Sequence, residues 1–146
     1  MYAAIVKPTM EHLSDILGWL KEEEDSAGVG FYCNRQVISK CFADGRSRCI
    51  VEEGKVVAFG LYAVYGTESE ILIMEVHPKR RRCGLGVALG EHLFALLKEL
   101  GAESVNVECN PEESESFWRA RGFITYIDEQ NERNLYDPVE LQKLLH

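Results

Sequence analysis

The chain has no apolar run approaching the roughly eighteen residues of a membrane-spanning helix. Its first residues, Met1-Tyr2-Ala3-Ala4-Ile5-Val6-Lys7, lack the long apolar core of a secretory signal. A cytoplasmic protein without a membrane partner is expected. No Cys-x-x-Cys pair occurs, and the five cysteines (Cys33, Cys41, Cys49, Cys83, Cys109) are odd in number and widely spaced. Neither a disulfide framework nor a zinc site is indicated, and no metal is expected. Positive charge is scarce: 16 Lys and Arg stand against 24 Asp and Glu. The net charge is −8, and without the four adjacent cations Lys79 to Arg82 it is −12. So acidic a body disfavours nucleic acid, whose phosphates attract basic surfaces. It suits a cationic or amine-bearing acceptor, and it serves solubility equally well. A Gly-Lys-Ser/Thr phosphate motif is absent, as are internal repeats, low-complexity segments and linkers.

What remains is 146 residues of ordinary globular composition, 46% hydrophobic and 27% charged, enough for one domain over residues 1–146 with a sizeable core. The most informative stretch begins at Glu70-Ile71-Leu72-Ile73-Met74-Glu75-Val76, whose β-branched and aliphatic residues favour a strand. Pro78 biases His77 away from helix and ends that strand. From Val87 onward Leu89, Leu93, Leu96, Leu97 and Leu100 recur at three- and four-residue spacing, a helix with one buried face. Between strand and helix lie Lys79-Arg80-Arg81-Arg82-Cys83-Gly84-Leu85-Gly86. A helix start offers unpaired N–H groups and the positive end of its dipole, and glycines let phosphate oxygens come close to the backbone. Arg81 and Arg82 add formal charge. The stretch is built to hold a polyphosphate.

Two anion-binding designs compete for it. Gly84, Gly86 and Gly90 fit a variant of the dinucleotide fingerprint, with Glu108 where a ribose-binding acid would sit. In that fingerprint the first glycine follows the strand almost directly. Here seven residues intervene between Val76 and Gly84, and Gly90 serves as well as a packing glycine inside the helix. A nucleotide-binding oxidoreductase domain is therefore the weaker reading.

Arg81-x-x-Gly84-x-Gly86 after a strand ending in Val-x-Pro resembles motif A of the GNAT superfamily of acetyl-CoA-dependent N-acyltransferases. Val105-Asn106-Val107-Glu108-Cys109-Asn110, a polar helix, and Phe117-Trp118-Arg119-Ala120-Arg121-Gly122-Phe123 resemble a second family block. The resemblance implies an α/β (α+β) mixed sheet with splayed central strands flanked by helices. It implies coenzyme A (acetyl-CoA) held by the amides of Arg81, Arg82, Cys83, Gly84, Leu85, Gly86 and Val87. The pantetheine arm would lie beside Met74, Glu75 and Val76, with Asn110, Ser116 (with Ser114) and Trp118 as further contacts. Phe31, Tyr32 and Trp19 would be candidate acceptor contacts on the wall formed by the early helices, Trp19 being more readily a core residue. The family's tyrosine, four residues before the Gly of Gly-Phe, is replaced by Trp118, whose indole is no useful proton donor to a thiolate. Tyr126 and Tyr32 have no positional support as substitutes. A homodimer is possible, as in many relatives.

Acyl transfer to an amine needs a base to deprotonate the ammonium and a backbone N–H for the developing oxyanion. The amide near Val76 is expected to supply the latter. Glu70 is one candidate base. It matches a catalytic glutamate of histone-acetyltransferase-like members and heads the row Glu70, Leu72, Met74, Val76, where burial would raise its pKa. Glu108 is the other, matching the base of N-terminal-amine acetyltransferases. Glu75 faces the opposite side and is discounted as a base. His77 suits a turn better than a titrating role, and Cys83 and Cys109 lack a histidine partner for nucleophilic catalysis. The expected function is N-acetyl transfer from acetyl-CoA to a primary amine, a small molecule or a peptide, by direct attack. The alternative is a non-catalytic acyl-CoA-binding or interaction module.

The remaining elements read in order. Tyr2 to Lys7 is a strand. Thr9 caps a helix bearing Leu13, Ile16, Leu17 and Leu20, with Lys21 to Asp25 as its solvated end. Asn34 caps a helix bearing Val37, Ile38, Cys41 and Phe42. Arg48 to Glu52 and Val56 to Tyr65 form a hairpin. A strand from Ser104 to Cys109 and a helix from Pro111 to Arg121 follow. Phe123 to Ile127 and Arg133 to Tyr136 close a hairpin around Glu129-Gln130-Asn131, and Pro138 to Leu145 forms a terminal helix.

Overall fold

A computed structural model describes residues 3–28, 30–109, 114–126 and 139–146. The elements are β1 (Ala3–Val6), α1 (Met10–Ala27), a 3-10 turn (Tyr32–Asn34), α2 (Arg35–Ala43), β2 (Ser47–Glu52), β3 (Lys55–Tyr65) and β4 (Glu68–Val76). A second 3-10 turn (Pro78–Arg80), α3 (Leu85–Glu99), β5 (Ser104–Cys109), α4 (Ser114–Ala120), β6 (Ile124–Thr125) and β7 (Val139–Leu144) complete them. The backbone forms two compact units, one from the described residues of 1–62 and 73–93, the other from those of 63–72 and 94–146.

In the first unit the strand order is β1-β2-β3-β4. β1 and β2 pair antiparallel from Ala3↔Glu52 to Val6↔Cys49, and β2 pairs antiparallel with β3. The connection between Glu52 and Lys55 takes two residues, Glu53 (φ 50°) and Gly54 (φ 77°). Two left-handed residues match the twist of the flanking strands, which is why a short loop containing glycine makes this hairpin. β3 is buried continuously from Val56 to Ala63, as a near-uninterrupted apolar run should be when both faces are covered. Ile16 and Leu20 of α1, Ile38 of α2 and Leu89 and Leu93 of α3 have no exposed surface. Gly60 on β3 lies under α3: a Cβ there would sit 2.8 Å from Leu93 Cδ1, so the helix approaches because that position has no side chain.

In the second unit the order is β4-β5-β7-β6. β4 and β5 are parallel and the β5–β7 and β6–β7 pairs antiparallel. The helix α3 makes the crossover that a parallel pair requires. Phe94, Trp118 and Phe123 form an aromatic cluster, with ring centroids 5.6 Å apart for Phe94–Phe123 and 5.2 Å for Trp118–Phe123.

Several expectations need correction. Val139–Leu144 is a strand in place of the expected terminal helix, bonded along its length to β5 and at two positions to β6. Glu, Leu, Gln and Lys favour helix locally, but β5 offers an open edge to pair with, and tertiary context overrides propensity. Leu17 is half-buried while Trp19 takes the buried position on α1, and Val37 (45%) and Leu100 (50%) are exposed. The charge run at the end of α1 is not wholly solvated, because Glu23 is buried. The expected strand at Arg133 to Tyr136 and the turn at Glu129 to Asn131 lie outside the described residues. No helix among the described residues is long and apolar enough to cross a membrane.

Candidate active site

β4 enters its loop through a set of fixed contacts. The N–H of His77 donates to the Val57 carbonyl (2.8 Å), and His77 Nδ1 accepts from the Lys79 amide (3.1 Å). Arg80 is tied to Glu52 at 2.7 Å. Arg81 is extended, Arg82 lies in the left-handed region (φ 65°) and Gly84 follows at φ 80°. A non-glycine residue at positive φ is strained, and a tightly turned backbone ahead of a helix start is a setting that suits an anion. The Ala88 amide donates to the Gly84 carbonyl at 3.1 Å. By helix geometry the N–H groups of Leu85, Gly86 and Val87 therefore have no intrahelical acceptor.

The four cations differ in what they do. Arg81 turns inward. Its Nε donates to the Val76 carbonyl (3.1 Å) and its Nη2 to Glu23 (2.9 Å) and to Glu75 (3.1 Å). Both carboxylates are buried, with side chains 7% and 6% exposed. Burial, and then a hydrogen bond in which the protonated Glu75 donates to Glu23, push the Glu75 carboxyl up to about 9. Among the described residues Lys79 and Arg82 have no ion pair. The charge this loop offers a ligand thus comes from Lys79 and Arg82, and Arg81 is spent holding the loop to α1 and β4. The role of Glu23 was hidden in the sequence because a run of like charges gives no sign of which member points inward.

A separate cleft of about 150 Å³ lies within the second unit, lined by Tyr65, Glu68, Ser69, Glu70, Asn106, Val107, Glu108 and Glu140. β4 pairs with β5 over only three positions, Glu68↔Ser104, Ser69↔Val105 and Glu70↔Asn106. Ile71 and Leu72 have no partner on β5 although both strands continue, which is the splay that the sequence led us to expect. Ser69, Ile71, Ile73 and Glu75 are buried, and Glu70, Leu72, Met74 and Val76 form the half-buried row. Burial first, then the charges of Glu108 and Glu140, raise the Glu70 carboxyl. Glu108 is exposed and stands directly across from Glu140. The cleft therefore unites both candidate bases and adds Glu68, Glu140 and the phenol of Tyr65. Glu140 went unseen because its segment reads as helix. Alternation of buried Leu141 with its neighbours was the only trace of a strand.

Other singled-out residues are less concentrated. Tyr32 is half-buried beneath Lys21 (5.3 Å) and Arg35 (4.8 Å), next to half-buried Phe31. Trp19 packs in the core on Phe59 and His77, with centroids 5.8 and 5.0 Å away. Trp118 is buried against Phe117 and Phe123. Ser116 is exposed on α4, and Cys83 is exposed in the loop. Asn110 lies outside the described residues.

A parallel strand pair that parts after three positions, with one strand leading through a cationic glycine loop into a helix, defines an α/β protein of the acyl-CoA N-acyltransferase fold. The profile of the acetyltransferase (GNAT) family matches residues 10–123, and the chain belongs to that family. N-acetylglutamate synthase from Neisseria gonorrhoeae, crystallised with coenzyme A and N-acetyl-glutamate, is similar in structure at a TM-score of 0.80 and 15% identity. That match covers 100% of this chain and 36% of that one, so this chain spans about a third of that protein's length. The PaiA N-acetyltransferase from Thermoplasma acidophilum, in complex with coenzyme A, matches at 0.78 and 13% identity over 99% of each chain. The ribosomal-protein-S18-alanine N-acetyltransferase from Escherichia coli matches at 0.75 and 16% identity, over 99% of this chain and 94% of that one. No curated protein is similar enough in sequence to match the chain.

Proposed function

We propose that the protein is an N-acetyltransferase that moves acetyl from acetyl-CoA to a primary amine, with Glu70 as general base. The observation that carries this reading is the environment of Glu70. It is half-buried on the strand that leads into the anion-binding loop, and its carboxyl is raised by burial and by Glu108 and Glu140. A carboxylate raised toward the working pH is a better proton acceptor than one left near its ordinary value. The surrounding acids favour the ammonium form of an incoming amine, which is the form present at neutral pH.

In this reading the loop amides from Arg82 to Val87 and the Arg82 guanidinium hold the pyrophosphate of coenzyme A. The amine gives a proton to Glu70, its lone pair attacks the thioester carbonyl, and an N–C bond forms as the oxygen takes up negative charge. A backbone N–H near Val76 stabilises that oxyanion. Collapse breaks the C–S bond and releases the coenzyme A thiolate, and the nitrogen gives its second proton to solvent. No phenol occupies the position of buried Trp118, so the thiolate leaves without a dedicated proton donor from that site.

Thiol release measured with acetyl-CoA against mono-, di- and polyamines, amino acids and peptides tests this. Turnover with at least one amine is expected, and Glu70→Gln should lower kcat/KM by roughly 10²–10⁴-fold while acetyl-CoA binding stays unchanged. Acetyl-CoA binding with no amine-dependent thiol release across the panel would support the non-catalytic module, which the missing phenol favours. Full activity in Glu70→Gln would remove Glu70 from the mechanism.

A further inference from the structure

We propose that Glu23 and Glu75 are positioning residues for the anion-binding loop: together they hold the Arg81 guanidinium inward through one shared negative charge, and so fix the amides from Arg82 onward. This deepens the functional reading above, since it rests on that loop being where the coenzyme pyrophosphate binds. The geometry comes from three chain segments. Glu23 is on α1, fifty-eight residues before Arg81, and Glu75 is the penultimate residue of β4. One guanidinium nitrogen bonds both carboxylates while Nε holds the Val76 carbonyl. With its side chain fixed at three points, Arg81 cannot swing, and the left-handed Arg82 and Gly84 follow from a set origin.

Two buried carboxylates face one cation, Arg81, whose side chain is half exposed. The second oxygens, Glu23 Oε1 and Glu75 Oε2, have no hydrogen-bond donor among the described residues. Unpaired buried charge is costly, and a proton kept on the Glu75 carboxyl leaves a single negative charge to face Arg81. The cluster is then neutral, and the positive field of Lys79 and Arg82 is left whole for a polyanion. Gly30 lies against the Glu23 carboxyl. It sits at φ 113°, and any Cβ there would collide with Glu23 Oε1. The groups facing Glu75 are Glu23 from α1 and Arg81 from the loop; burial first and then Glu23 raise the Glu75 carboxyl, and Arg81 opposes them.

One negative charge is enough, so the substitutions sort in an unusual way. Glu23→Gln and Glu75→Gln should each bind acetyl-CoA within threefold of the parent at pH 7, because the remaining carboxylate ionises to face Arg81. The double variant Glu23→Gln/Glu75→Gln should weaken acetyl-CoA binding about tenfold by calorimetry. In turnover the loss should appear in KM, with kcat at saturation within twofold. In the parent, affinity should fall at least fivefold between pH 7 and 9.5 as the Glu75 proton leaves and an uncompensated charge appears beneath the loop. In either single Gln variant it should change less than twofold. A double variant that binds like the parent overturns the proposal, as does a parent whose affinity is flat in pH. If the double variant does not fold, the single-variant pH comparison decides. Arg82→Glu and Gly84→Val serve as controls. If they too leave affinity unchanged, the loop reading itself has failed; if they weaken binding while the carboxylate variants behave like the parent at every pH, only the positioning role falls.

Discussion

At the scale of single residues, Glu75 makes stability depend on pH with a definite sign. Its carboxyl is pushed from 4.5 to about 9 in the folded chain, so between those values the folded state keeps a proton that the unfolded state has released. Stability is therefore full below the unfolded value and is lost as pH rises through the folded one. One unit of such a shift is worth about 1.4 kcal/mol, and a chain of this length loses roughly 2–4 °C of Tm per kcal/mol. A decline of roughly 10–20 °C between pH 5.5 and 9, from about 5 kcal/mol over that range, is expected by thermal melting, and Glu75→Gln should remove at least half of it. A melting temperature independent of pH would show that no proton is held there. Glu70 gives a second pH test, this time of rate. The charges of Glu108 and Glu140 raise its carboxyl, so Glu108→Gln should move the acidic limb of kcat/KM to lower pH. A limb that moves up, or stays in place, would mean that some other group sets it.

At the scale of elements, α3 approaches β3 closely at Gly60. Because a Cβ would stand 2.8 Å from Leu93 Cδ1, Gly60→Ala should destabilise by about 1–3 kcal/mol through overpacking. Leu93→Ala should cost about 2–5 kcal/mol through the cavity it leaves. Combined, the two should cost clearly less than their sum, since the removed leucine is what the new methyl strikes. Strict additivity in denaturant unfolding would mean that the helix shifts as a body. The same elements show what the sequence could tell. The strand, loop and helix from Glu68 to Glu99 were legible because β-branched residues, Pro78 and the leucine spacing are local signals that agree with the final fold. β7 was not legible: Val139 to Leu144 carries helix-forming residues, and only the edge of β5, set by residues some thirty-five positions earlier, makes it a strand. With β7 misread, Glu140 could not be placed in the acidic cleft. Glu23 was hidden for a related reason, since its partner Arg81 lies far along the chain and helical periodicity alone does not pick one acid from a run of them.

At the scale of the whole molecule, charge is divided in a way that bears on both substrates. The chain carries −8 overall, yet the coenzyme of the proposed reaction is a polyanion; in that reading it meets a loop whose cations are concentrated in sequence and whose neighbouring buried acids, Glu23 and Glu75, are paired with Arg81. The remaining acids, four of them lining one cleft as Glu68, Glu70, Glu108 and Glu140, favour a cation. Long-range attraction of this kind is screened over about 10 Å at 0.1 M salt. It acts on encounter and local concentration more than on the chemical step. Raising ionic strength from 20 to 300 mM should therefore raise KM for a diamine or polyamine several-fold, raise it less for a monoamine, and leave kcat for both within twofold. Glu140→Gln, together with Glu68→Gln, should reduce the difference between the two amines at low salt. Equal salt dependence for monoamine and polyamine would show that the acidic cleft does not select its acceptor by charge, and that the excess of acid serves solubility alone.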